Sequence, residues 1–214
     1  FNNPYYTIDG VSLGFRLYYQ SVDSSELNSA NFVRNATGFQ VNFGFPLNEL
    51  DTLRLSPGYQ HLWIDTTTSS PYEIKDYIEE HGDTYDQITL DASWARDSRN
   101  KVVFPTEGSL NQVVGQFALP GSSAEFYKLT YRNSTYYPFA KWLTWNISGE
   151  VGYGDGYGGI GELPFFENFY AGGLRSVRGY KANTLGPRYS NNEPSGGAFK
   201  TLASTQFILP APFL

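Results

Sequence analysis

Hydrophobic and polar residues alternate with a period of two along most of the chain, the mark of strands whose two faces meet different surroundings. Val11, Leu13, Phe15, Leu17 and Tyr19 alternate with Ser12, Gly14, Arg16, Tyr18 and Gln20. Phe39, Val41, Phe43 and Phe45 alternate with Gly38, Gln40, Asn42 and Gly44. Leu53, Leu55 and Tyr59 alternate with Arg54, Ser56 and Gln60. The pattern returns around Ile88–Ala95, Gln112–Leu119, Tyr127–Arg132, Leu143–Tyr153 and Ala203–Leu209, least cleanly in the second of these. This predicts eight strands of roughly 10 to 14 residues, where a soluble sheet uses about 5 to 6 and a tilted bilayer-crossing strand needs about 9 to 11.

Alternation alone fits a soluble sandwich as well as a membrane barrel. Two further features favour the barrel. Arg16, Arg54, Asp91, Lys128, Arg132 and Glu150 all fall on one face, as a polar lumen requires. Tyr19, Tyr59, Trp63, Trp94, Tyr137, Trp142 and Tyr153 lie near strand ends, where aromatic girdles meet the membrane interfaces. The predicted fold is all-β, an antiparallel transmembrane β-barrel.

The connections divide into two kinds. Leu47–Asp51 and Phe139–Lys141 are tight, as periplasmic turns are; Ser21–Thr37, Ile64–Tyr85 and Asp155–Gly197 are long, as external loops are. Strict up-down alternation then puts Asp97–Glu107 on the periplasmic side and Pro120–Glu125 outside, against the length rule. Within the second long loop, Ser70-Pro71-Tyr72-Glu73 reads as a capping box with proline at the first helical position, and Gly82 as a stop. A helix is expected over 71–80, its apolar stripe formed by Ile74, Tyr77 and Ile78.

Composition narrows the function classes. The net charge of −6 argues against nucleic-acid binding, which needs a basic face. There is no cysteine, hence no thiolate metal site, and the two histidines, His61 and His81, fall short of a zinc ligand set. No metal or other cofactor is expected. A hydrolase would need a Ser or Asp beside His61 or His81 near one rim, and no G-x-S-x-G signature occurs. The glycine-rich run Gly152–Gly161 lacks the helix and lysine of a phosphate loop and reads as a strand end bending out of the membrane.

The remaining candidate is the long loop, residues 155–197. It carries Phe169, Tyr170, Gly172 and Gly173, then the tip Val177-Arg178-Gly179-Tyr180. Its aromatics argue for a packed loop rather than a disordered one. Arginine pairs carboxylates through a planar fork. A loop folding into the lumen would bring Arg178 to the inward acids Asp91 or Glu150.

Several stretches resemble the BamA/TamA superfamily of outer-membrane assembly barrels: PFFENFYAGGLRSVRGYKANTLGPR, NPYYTIDGVSLGFRLYY, WARDSRNKVVFPTEGS, GYGDGYGG and ASTQFILPAPF. The resemblance runs along essentially the whole chain. It implies a sixteen-stranded barrel preceded by periplasmic POTRA domains, with residues 1–214 covering the fifth to twelfth strands and no POTRA domain among them. It implies a non-enzymatic insertase that folds and inserts β-barrel proteins. Its partners would be unfolded outer-membrane proteins, outer-membrane lipids and, for the full protein, accessory assembly lipoproteins. The same superfamily includes secretion pores, so a secretion-type or passive pore is the alternative. In the superfamily the loop arginine meets an acid on the twelfth strand; the matching position here is Gln206, which is neutral. Eight strands taken alone must either close on themselves or pair edge to edge with a second copy, because open edges do not persist in lipid.

Overall fold

Nine antiparallel strands, each hydrogen-bonded to its neighbours in sequence, form one continuous meander in the computed structural model, which describes residues 1–209. A short β1 (Asn2–Asn3) precedes β2 (Ser12–Asp23), β3 (Phe32–Pro46), β4 (Asp51–Thr66), β5 (Thr84–Asp97), β6 (Gly108–Ala118), β7 (Phe126–Ala140), β8 (Leu143–Gly156) and β9 (Phe199–Ile208). The eight predicted strands are all present. Most run longer than their cleanest alternating stretch, β4 reaching 16 residues. The first external loop is correspondingly shorter than expected, residues 24–31.

The register fixes which side chains share a face. Arg16 lies opposite Gln40, Arg54 opposite Ser93, Asp91 opposite Gln116, Gln116 opposite Lys128, and Arg132 opposite Glu150. Directly paired residues point the same way, so these polar groups line one face. They bond across strands: Gln40 Nε2 donates to Asp91 Oδ2 at 2.8 Å, and Gln60 Nε2 to Gln87 Oε1 at 2.7 Å. The opposite face is apolar and uncovered. Leu17 is 81% exposed, and Phe15, Phe39, Ile88, Leu129, Val151 and Phe207 are exposed beside it. A soluble protein would hide such a belt. Here it is the lipid-facing wall, and no second sheet packs against it among the described residues.

The buried core is not in the middle of the sheet. It sits at the end where the long loops emerge. Phe32, Ile64, Leu62 and Tyr85 from the inward face pack with Ile74 of the helix and with Phe165 and Phe166 of the long loop. Phe165 meets Phe32 and Tyr77 edge-on at 5.2 Å, a favoured aromatic geometry. Loops thus cap the lumen instead of trailing in water.

The helix α1 spans Tyr72–His81 and ends at Gly82, whose φ of 82° places it in the left-handed region that glycine enters freely. The expected capping box does not form. Pro71 occupies the cap position, Ser70 bonds the backbone of Asn31 and Thr67, and Glu73 accepts from Ser190 N at 2.8 Å and Ser190 Oγ at 3.1 Å. Both polar side chains tie the helix to neighbouring loops, which takes them away from its first turn.

Among the described residues β1 pairs only with β2, and β9 only with β8. The sheet is open. Closure of eight strands into a small barrel, one of the two expected outcomes, is not the arrangement observed.

Candidate functional site

The long connection between β8 and β9, residues 157–198, folds back over the inward face. Its root is held by one carboxylate. Glu167, in a 3₁₀ turn (Phe165–Glu167), is only 8% exposed. Arg34 Nη2 of β3 donates to its Oε1 at 2.8 Å, and Lys128 Nζ of β7 to its Oε2 at 3.1 Å. Burial pushes the Glu167 carboxyl up, but the two cations outweigh burial and hold it below its usual value. One anion therefore bridges two strands that are far apart in the sheet. Lys128 Nζ also lies 4.9 Å from the centre of the Phe169 ring, a cation–π contact.

The wall beneath this root is cleared by glycine. Gly152, Gly154 and Gly156 occupy alternate positions of β8, all inward. A Cβ at Gly152 would sit 2.8 Å from the Phe169 ring, one at Gly154 3.1 Å from Leu163, and one at Gly156 would collide with the backbone of Glu162. Just beyond β8, Gly158 and Gly161 have φ of 67° and 72° and bend the chain, as a glycine-rich strand end is expected to do; Gly152, Gly154 and Gly156 act differently. None of the three has positive φ; their role is to let loop residues lie flat on the wall. Beyond them, Phe169 and Gly197 exchange two backbone hydrogen bonds, of 2.8 and 3.0 Å, and Asn168 Nδ2 donates to Ser195 O at 2.9 Å. The loop thus leaves and returns as a short ladder.

The tip is built differently. Gly172 and Gly173 have φ of 115° and 92°, and Gly173 N donates to Tyr180 O at 3.1 Å, closing a small hairpin that carries Val177, Arg178 and Gly179. Tyr170, behind the tip, is half-buried, and burial pushes its hydroxyl up to about 12. Arg178 is exposed and has no hydrogen bond or ion pair among the described residues. It borders a cavity of about 350 Å³ together with Arg175, Arg132, Glu150 and Gln206.

The acids suggested by the sequence are engaged elsewhere. Glu150 bridges Arg132 at 3.1 Å and Lys200 at 2.6 Å, and Asp91 accepts from Gln40. The structure brings Glu150, Gln206 and Arg178 to one cavity and leaves Asp91 outside it. The ion pair that anchors the loop runs through Glu167, which the sequence did not single out.

His61 does meet an acid. Its Nδ1 lies 2.8 Å from Asp86 Oδ1, and Tyr59 OH donates to the same oxygen at 2.6 Å. The cluster faces outward, at the upper edge of the lipid-facing belt. The neighbouring hydroxyls of Ser122 and Ser123 bond the backbone of Ile88 and Asp86 instead of His61. Among the described residues, no hydroxyl bonds to His61 in line with the pair.

A family model described as the Omp85 superfamily domain matches residues 1–214. The outer membrane protein assembly factor BamA of Neisseria meningitidis serogroup B is 34% identical over 99% of this chain and 28% of its own length. The protein of the same name from Nitratidesulfovibrio vulgaris is 25% identical over 74% of this chain and 20% of its own length. A crystal structure of BamA from Haemophilus ducreyi lacking POTRA domains 1–3 superposes with a TM-score of 0.90 at 28% identity, over all of this chain and 44% of that one. The chain spans less than a third of the length of these curated relatives. With an apolar outward face, a polar inward one and a family model covering every residue, the chain belongs to the Omp85 superfamily of outer-membrane β-barrels.

Proposed function

We propose that this chain forms part of the barrel wall of an outer-membrane insertase, which folds and inserts other β-barrel proteins without covalent chemistry. Its partners are then unfolded outer-membrane proteins, outer-membrane lipids and, in the full-length protein, accessory assembly lipoproteins. The reading rests on one observation above the rest: a loop held across the lumen by a buried carboxylate, Glu167, that pairs with both Arg34 and Lys128. A passive pore gains nothing from a blocked interior, whereas an insertase needs a rigid inner strut while its wall deforms.

In this reading Glu167, Arg34 and Lys128 are the strut's foot, and Phe169, Tyr170, Gly172 and Gly173 carry its stem. Val177, Arg178, Gly179 and Tyr180 are its working tip. The lumen partners Gln206 and Glu150 line the space the tip moves in, and Asp91 shapes the wall beyond it.

The test is insertion of a model barrel into lipid vesicles carrying the full-length protein. Glu167→Ala should lower the insertion rate while the protein remains in the membrane. Equal insertion rates with and without Glu167, accompanied by ion conductance through the protein, would favour the pore.

A further inference from the structure

The turn between β5 and β6 breaks the rule that periplasmic connections are short. Its stem is rigid. Arg99 clasps Asp97 in a two-pronged fork, Nε donating to Oδ1 at 2.8 Å and Nη2 to Oδ2 at 2.7 Å. Asn100 N donates to Glu107 O at 3.2 Å, and the Asn100 side chain accepts from Thr106 N at 3.1 Å. Pro105 is buried, and a Cβ at Gly108 would collide with the Ser98 backbone. On this stem stands an uncovered apolar tip: Val102 is 77% exposed, Val103 68% and Phe104 81%. Phe104 has a φ of 53°, a left-handed conformation that a bulky residue enters only at a cost. Residues 101–104 make no backbone hydrogen bond among the described residues.

Lipid does not cover this tip. On four strands the lipid-facing belt ends in one row, where Leu53, Trp94, Val113 and Tyr131 lie opposite one another in turn. The next outward row is polar throughout: Asp51, Arg96, Asn111 and Asn133. Arg96 Nη1 lies 3.2 Å from Asp51 Oδ2, and Asn133 Nδ2 donates to Asn111 Oδ1 at 2.8 Å. Ser109 and Thr135 make the row beyond. Hydrocarbon reaching the tip would have to bury these rows, an ion pair included, which a bilayer penalises. The tip therefore stands in water on the periplasmic side, where three adjacent uncovered apolar side chains call for a partner.

We propose that this tip is a docking point for the unfolded client, an extended segment with alternating apolar side chains on its way to the membrane. The proposal rests on the insertase reading above. Such a segment reaches the barrel from the periplasm with its apolar face uncovered and its backbone unpaired. The tip offers the complement of both: apolar side chains, and free N–H and C=O groups on residues 101–104. Its braced stem loses little conformational freedom on binding, which favours the contact.

The experiment uses the full-length protein in phospholipid vesicles, with a photoreactive benzoylphenylalanine in place of Val103. The probes are a small urea-unfolded outer-membrane barrel and a peptide of residues 143–153, in which apolar and polar residues alternate. Both should crosslink at the tip, and a peptide of the same composition with its polar residues grouped together should not compete. Phe104→Asn removes the ring while suiting the left-handed backbone, since asparagine enters that region readily. It should keep the unfolding midpoint and the maximal insertion rate. The client concentration for half-maximal insertion should rise about tenfold, the scale of withdrawing one large apolar side chain from a contact. Phe104→Trp should insert clients normally, with no quenching by brominated phospholipids beyond that of the parent protein. Added quenching would place the tip in the bilayer and overturn the proposal. So would a crosslink confined to a second copy or to another part of the same chain, or an unchanged half-maximal concentration in Phe104→Asn. If Glu167→Ala slows insertion while Phe104→Asn leaves the client concentration unshifted, the docking point falls and the insertase reading stands. If the parent protein inserts nothing, the insertase reading falls with it.

Discussion

Replacing Glu167 by alanine leaves Arg34 and Lys128 on the lumen wall with no anion between them. Removing one member of a buried ion group typically costs about 3 to 5 kcal/mol, because the charges left behind stay desolvated. Glu167→Ala should lower the unfolding midpoint in detergent and expose the loop to trypsin at Arg175. Restoring an apolar balance with Lys128→Met should recover part of the loss. The pH dependence follows from the same contacts. The folded carboxyl titrates below its unfolded value of about 4.3, so its contribution is complete above that pH and is lost as pH falls through the depressed value. Loop protection should be flat from neutral pH down to about 5 and should fall in stronger acid, and the fall should be missing in Glu167→Gln. Arg178 predicts the opposite pattern. With no partner among the described residues, Arg178→Ala should shift stability by less than about 0.5 kcal/mol and leave loop cleavage unchanged, while lowering insertion. A loss of loop protection in that variant would show that the tip is anchored after all.

At the scale of elements, the two faces of each strand should answer oppositely to charge. Leu129→Arg puts a cation on the lipid-facing wall, where it costs about 2 to 4 kcal/mol near the bilayer midplane. Gln116→Arg, on the inward face of β6, should cost far less. Urea unfolding in vesicles separates the two, and a larger loss for Gln116→Arg than for Leu129→Arg would mean the faces had been assigned the wrong way round. This two-faced pattern is why the strands were legible in the sequence. Lipid on one side and a polar lumen on the other write a period of two, and α1 was legible from its apolar stripe and its terminal glycine. The loop's anchor was not. Glu167 in FFENFY reads like any solvated loop acid, since nothing local reveals that Arg34, 133 residues away, waits on the inward face. The packing role of the β8 glycines is hidden for a related reason. A missing side chain looks the same whether it frees the backbone or makes room for a neighbour, and only the Phe169 ring over Gly152 tells the two apart. The capping box failed because Ser70 and Glu73 had tertiary partners to satisfy.

At the scale of the whole molecule, the open question is what meets the sheet's two edges. In water an exposed edge is an aggregation hazard. In hydrocarbon each unpaired backbone group costs several kcal/mol, so an open edge cannot stay unpaired. The free side of β9 presents such groups along Phe199–Ile208, and the free side of β2 presents them beyond the two residues that β1 covers. In a longer chain, further strands meet these edges. For residues 1–214 taken alone, the remaining solution is a second copy, with β9 of one protomer against β2 of the other. That arrangement also leaves a lumen wide enough for the long loop, which an eight-stranded ring filled by its own side chains does not. The chain has no cysteine, so one introduced residue labels a single place. Thr205→Cys on the outward face of β9, paired with Leu17→Cys on the outward face of β2, tests the contact directly. Folded in detergent, the double variant should crosslink between chains and run at twice the 24.0 kDa of one chain. A native mass of one chain, with a loop still resistant to trypsin, would rule out the paired barrel and require the sheet to close by curling β9 onto β2 within the same molecule.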